Sequence, residues 1–140
     1  GAEEGAQAYE AELAQAFRLG PDEWPRFDLV LLGVGEDGHV ASLFPGSPAL
    51  RETRRRAAAV HDAPKPPPDR ITLTLPVLNH ARQILVVAAG RAKAPVAARV
   101  LAGGDAAAAL PAARLRSAGG GLRWMLDRAA AADLAAKETP

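Results

Sequence analysis

"LLGVGEDGHVASLFPG", residues 31–46, opens on an apolar run, closes on Pro-Gly, and places Gly33, Gly35 and Gly38 at the G-x-G-x-x-G spacing of a dinucleotide-binding turn. That fingerprint requires a long helix at its third glycine, packed on the sheet, and an acid about 20 residues on to hold the ribose. Asp62 could serve as the acid, but Pro45, Gly46 and Pro48 stop any helix begun at Gly38 within two turns. The glycines therefore serve another device, and His39, directly after the third of them, indicates its chemistry.

Working outward, "FDLVLLGV" (27–34) is too continuously apolar for a half-exposed strand and reads as a buried strand of a mostly parallel sheet. The turn then sits beyond a strand's carboxyl end, where open α/β sheets bind ligands. Asp37 and His39 are two residues apart, so an extended turn projects both to one side, where a carboxylate can orient an imidazole. Imidazole titrates near neutrality and can take a proton from water and return it. Gly35 and Gly38 allow close approach of backbone to a ligand and the positive φ such a turn needs. The same spacing also fits an Asp37 that only caps the next turn and a His39 that is a satisfied polar residue.

Tyr9, Leu13 and Phe17 recur every four residues on one face of a helix ending near Gly20-Pro21. "SPALRETRRR" (47–56) reads as a short helix capped by Ser47 and started by Pro48, with Arg54–Arg56 as its solvated end. A brief strand "AAAVHD" (57–62), a stiff connection "APKPPPD" (63–69) and an alternating strand "RITLTL" (70–75) follow. "QILVVAAG" (83–90) reads as a second buried strand, "RAKAPVAARVLAGG" (91–104) as a helix tolerating Pro95, and "GGLRWMLDRAAAADL" (120–134) as a last strand feeding a terminal helix. Strands alternating with helices predict an α/β fold.

Lys93 falls after Gly90 in the first turn of its helix, where backbone amides and an ammonium converge on an anion site. A lysine at that end opposes the helix dipole, which argues for a bound phosphate against the plain alternative of a solvated side chain. Arg70 offers a forked donor suited to phosphate, or is a surface strand residue. His61 and His80 have no acidic or histidine partner at ligand spacing and read as structural.

At 140 residues the chain fits one domain or part of one. Its 17 basic and 16 acidic residues nearly cancel, so no global field holds nucleic acid or an anionic membrane. The absence of cysteine excludes disulfides, thiolate metal sites and a cysteine nucleophile. No apolar stretch approaches the roughly 20 residues of a membrane span, and "GAEEGAQAYE" has no leader character, so a soluble, cytoplasmic protein is expected. Alanine supplies 33 residues, and arginine outnumbers lysine 14 to 3.

"FDLVLLGVGEDGHVASLFPG", "RITLTLPVLNHARQILVVAAGRAKA" and "GGLRWMLDRAAAADL" resemble, in this order and spacing, the 6-phosphogluconolactonase family. The resemblance implies a NagB-like α/β fold and hydrolysis of 6-phosphoglucono-1,5-lactone, a small sugar phosphate lactone, without metal or organic cofactor. It implies His39 as the base that activates water, Asp37 as its neighbouring acid, Lys93 as a phosphate contact, Arg70 as a further substrate-side arginine, and Gly35 and Gly38 beside the ligand. The related glucosamine-6-phosphate deaminases carry a glutamate five residues after the histidine; Phe44 stands there, which favours the lactonase. A sugar-phosphate-sensing effector domain shares the fold, but no helix-turn-helix or basic segment accompanies this one. Family members are longer, and their amino-terminal glycine-rich phosphate loop and "DER" segment do not occur here. The resemblance thus implies a single-domain fragment, residues 1–140, forming the carboxyl-terminal portion of the enzyme. Its sheet is expected to be incomplete, with an uncovered edge and face that favour self-association, and the isolated chain to have little activity.

Overall fold

The computed structural model describes residues 1–135. Helix α1 (Ala2–Phe17) leads to strand β1 (Leu29–Gly33), a 3₁₀ turn at Pro48–Arg51, and the hairpin strands β2 (Ala57–Val60) and β3 (Arg70–Leu73). Helix α2 (Leu75–His80), strand β4 (Gln83–Ala88), helices α3 (Ala94–Ala102) and α4 (Asp105–Ala108), and strand β5 (Gly121–Leu126) complete the order. The described strands form a parallel sheet in the order β1-β4-β5 and a separate antiparallel pair β2-β3. The expected α/β class with a mostly parallel sheet is therefore present.

Parallel strands need long crossovers, and the β1–β4 crossover here contains the His39 turn, the hairpin and α2. Register runs from Leu29 opposite Gln83 to Gly33 opposite Val87. On one face of the sheet Ile84, Val86 and Ala88 are buried against Val40, Leu43, Phe44, Leu78, Leu110 and Leu115. Helix α1 packs on the hairpin, tightly enough at Gly5 that a Cβ there would overlap Ile71. Leu13 is buried, and Phe17 meets Phe27 edge-on with ring centroids 5.0 Å apart.

Several expectations need correction. β1 is not buried on both faces. It pairs only with β4, and Leu31 is 63% exposed, as is 58% of Met125 on β5, because no described element covers that face. The continuous apolar run does form a parallel strand, but burial needs a second layer as well as a strand.

Arg55 and Arg56 are not a solvated helix end. Arg55 pairs with Glu3 (2.7 Å) and Glu10 (3.1 Å), and Arg56 Nη2 donates to the carbonyls of Gly20 (2.7 Å) and Glu23 (2.8 Å). These arginines tie α1 and the chain after it to the hairpin, and the "short helix" before them is only the 3₁₀ turn, with Ser47 Oγ accepting from the Ala49 N–H. The terminal helix is a series of turns through residue 134. That segment buries only Ala130, too little packing to sustain a short helix, and Asp127 caps it by accepting from Ala130 (2.7 Å) and Gly90 (3.1 Å). Residues 136–140 lie outside the described chain.

The uncovered face yields a test. Leu31→Glu combined with Met125→Glu is expected to reduce concentration-dependent association of the purified chain in sedimentation velocity, since apolar sheet faces associate. Equal sedimentation of the variant and the parent across the concentration range would show that the face is not adhesive.

Candidate active site

β1 ends at Gly33 and delivers the turn that the sequence singled out. Gly38 N–H donates to Gly35 O (2.9 Å), and Gly35 N–H donates to His39 O (2.9 Å), closing the loop on itself. Both glycines are required. Gly38 has φ +85° and lies against Leu110, while a Cβ at Gly35 would overlap the His39 ring and stand 2.6 Å from Asp37 Oδ1. Gly38 O in turn accepts from the Ala112 N–H at 2.9 Å.

Asp37 and His39 do project to one side. Asp37 Oδ1 lies 2.6 Å from His39 Nδ1 and also accepts the His39 backbone N–H at 3.1 Å. Partial burial opposes ionisation of Asp37, but the His39 backbone N–H, its ring and its charge outweigh that effect and hold the carboxyl below its usual range. With Asp37 ionised, the 2.6 Å contact assigns the Nδ1 proton to the imidazole side and leaves Nε2 to accept.

The ring and carboxylate are 21% and 42% exposed. A contact so open to water contributes at most about 1 kcal/mol to stability. Burial of Val40, Leu43 and Phe44, worth about 1.5–3 kcal/mol for each large apolar side chain, is what holds the turn. It also holds Ala41 in the left-handed region at φ 50°. The Ser42 N–H donates to Thr72 Oγ1 (3.1 Å), fastening the turn to the hairpin.

Lys93 closes the 3₁₀ turn Arg91–Lys93 and stands at the N-cap of α3. Its Nζ donates to Val34 O at 2.7 Å, bridging the ends of β4 and β1. Lys93, His39, Gly35, Ala41 and Lys65 line one open cavity of about 410 Å³. The structure thus brings His39, Asp37, Gly35 and Lys93 together, with Gly38 shaping the turn from behind.

Arg70 stands elsewhere: its Nε and Nη2 donate to Pro67 O (3.0 Å) and Lys65 O (2.7 Å), and its guanidinium lies 5.4 Å from the Phe44 ring centroid. Phe44 in turn packs on His39 with ring centroids 4.6 Å apart. His61 has the acidic partner that its sequence neighbourhood did not reveal, Asp69 at 3.1 Å across the proline-rich loop. Sequence reasoning did not single out Lys65; the available signal was its rarity, one of three lysines, set in a rigid loop. Among the described residues no three His, Cys, Asp or Glu side chains are grouped to hold a metal ion.

Two outcomes follow. Gly35→Ala is expected to expel the His39 ring from its place, visible as loss of the Asp37-linked imidazole NMR signature in a chain that remains folded. Because the Asp37 pKa is lowered on folding, its stabilisation is present above about pH 4 and is lost as pH falls through the lower folded value. Asp37→Asn should therefore flatten the acid fall in urea midpoint below that pH; an unchanged fall would show that the pair is absent in solution.

Residues 1–124 match the family described as glucosamine-6-phosphate isomerases/6-phosphogluconolactonase. The 6-phosphogluconolactonase of Rattus norvegicus is 51% identical over 129 residues, which are 92% of this chain and 49% of that protein. Among solved structures, 6-phosphogluconolactonase from Trypanosoma cruzi superposes with a TM-score of 0.82 at 33% identity, covering 96% of this chain and 53% of that one. A monomeric glucosamine-6-phosphate deaminase, described as a missing link of the NagB superfamily, shares the fold with a TM-score of 0.65 at 22% identity, over 91% of this chain and 53% of its own. The chain spans about half the length of the relatives it matches. With two of its three sequence motifs inside the matched region and the third entering it, the chain belongs to the glucosamine-6-phosphate isomerase/6-phosphogluconolactonase family.

Proposed function

We propose that this chain carries the general-base and phosphate-anchoring part of a 6-phosphogluconolactonase site, for hydrolysis of 6-phosphoglucono-1,5-lactone to 6-phosphogluconate. The observation that carries the reading is the Asp37–His39 pair at 2.6 Å beside a cavity that Lys93 also lines. Asp37 accepts the Nδ1–H of His39, so Nε2 is free to take a proton from a water whose oxygen attacks the lactone carbonyl carbon. The carbonyl electron pair moves to oxygen. Collapse of that tetrahedral species breaks the bond to the ring oxygen, and the proton held on His39 passes to the departing alkoxide. One water is added and no covalent enzyme intermediate forms.

A positioned base contributes about 10²- to 10⁴-fold, and anchoring the remote phosphate fixes the carbonyl near the base. For an already activated ester these effects are sufficient, and Ser42 and Ser47 are not required as nucleophiles. Phe44 supports lactonase over deaminase: an apolar ring packs on His39 where ring opening and deamination call for a further carboxylate. The reading carries with it a cytoplasmic setting and a small sugar phosphate lactone as partner, rather than nucleic acid or membrane.

The test is kinetic, in a chimera where this chain replaces the matching half of the rat enzyme. His39→Ala is expected to lower kcat about 10²- to 10⁴-fold with little change in KM. Lys93→Ala should chiefly raise KM for the phosphorylated lactone and leave the unphosphorylated lactone unaffected. An active chimera indifferent to His39→Ala would refute the assignment.

A further inference from the structure

We propose that Lys65 is a second cationic contact for the substrate phosphate and that Arg70 positions it; the proposal rests on the lactonase reading above. The chain uses 14 arginines and 3 lysines, yet Lys65 and Lys93 both line the His39 cavity and no arginine does. An ammonium on a flexible stem can be delivered to a phosphate as a point charge, whereas a guanidinium brings a fixed fork.

Charge favours a second cation from this chain beside Lys93. A phosphomonoester carries about −1.5 to −2 near pH 7, and the ionised Asp37 adds another negative charge beside the ring. Lys93 alone supplies one positive charge, and one of its protons is already donated to Val34 O at 2.7 Å.

The loop that presents Lys65 is built to hold it. The Ala63 N–H donates to Pro68 O at 3.1 Å, and His61 meets Asp69 at 3.1 Å, closing the loop at its base. Arg70 then donates to the carbonyl of Lys65 itself at 2.7 Å and to that of Pro67 at 3.0 Å. The same guanidinium rests on Phe44, which rests on His39. Packing therefore runs without a break from the catalytic ring to the backbone that carries Lys65. Arg70, expected from the sequence to meet substrate directly, acts in this proposal through the lysine.

The experiment titrates the chimera in which this chain replaces the matching half of the rat enzyme with 6-phosphogluconate and with gluconate, followed by amide NMR, with circular dichroism as the folding control. Lys65→Ala and Lys65→Gln are expected to weaken 6-phosphogluconate about 10- to 100-fold and to leave gluconate unchanged, while Lys65→Arg retains most of the affinity. Arg70→Lys should produce a similar loss, and combining it with Lys65→Ala should cost no more than Lys65→Ala alone. Binding that survives both neutral substitutions of Lys65 overturns its role. Losses that multiply in the double variant overturn the positioning role of Arg70. Failure of the parent chimera to distinguish the two ligands, with no response around His39 and Lys93, overturns the lactonase reading itself.

Discussion

Parallel pairing of β1 with β4 is the constraint on which the site depends. Because Leu29–Gly33 and Gln83–Val87 run in the same direction, both strands end on one side of the sheet. The His39 turn and the Lys93 turn leave from that side as neighbours. Antiparallel pairing would separate them by a strand length, about 16 Å for five residues at 3.3 Å each. The Lys93–Val34 hydrogen bond, 2.7 Å long, exists only because of this arrangement. Beneath it, Val40, Leu43 and Phe44 fix the turn by burial, so the Asp37–His39 pair inherits its geometry from the core.

Much of this is legible in the residues. The apolar runs ending in glycine, the two-residue spacing of Asp37 and His39, and the double-glycine stop of α3 are local signals, and each leads to the observed element, although the helix read from residue 91 begins at Ala94, after the 3₁₀ turn Arg91–Lys93. Exposure is not local. Leu31 and Met125 belong to apolar strands whose burial depends on what lies across the sheet, and nothing in a strand's own letters states that. The segment after β5 reads as helix on propensity alone, yet it brings little to the core and stops as turns.

The arginines were the least legible. Arg55, Arg56 and Arg70 look in sequence like solvated charge or ligand contacts, whereas each spends its donors on partners distant in the chain or across a loop. A guanidinium presents several donors in one plane, which suits it to gathering the unpaired carbonyls of irregular backbone. This chain has long irregular connections and uses arginine to organise them. Two of the three lysines, Lys65 and Lys93, line an open cavity instead.

The crossover between β1 and β4 also bears on the order in which the molecule forms. Partners such as Leu31 and Leu85 are separated by on the order of 50 residues, and closing a loop of that size costs roughly 3.5 kcal/mol of chain entropy before any strand contact compensates. The β2-β3 hairpin closes a much shorter loop. Folding is therefore expected to begin at the hairpin and reach the sheet last, with the histidine turn maturing only in the final, slowest step. Trp24, near the hairpin arginines, and Trp124, on β5, are placed to report the two stages separately in stopped-flow fluorescence. Simultaneous changes at both would argue for a single concerted event.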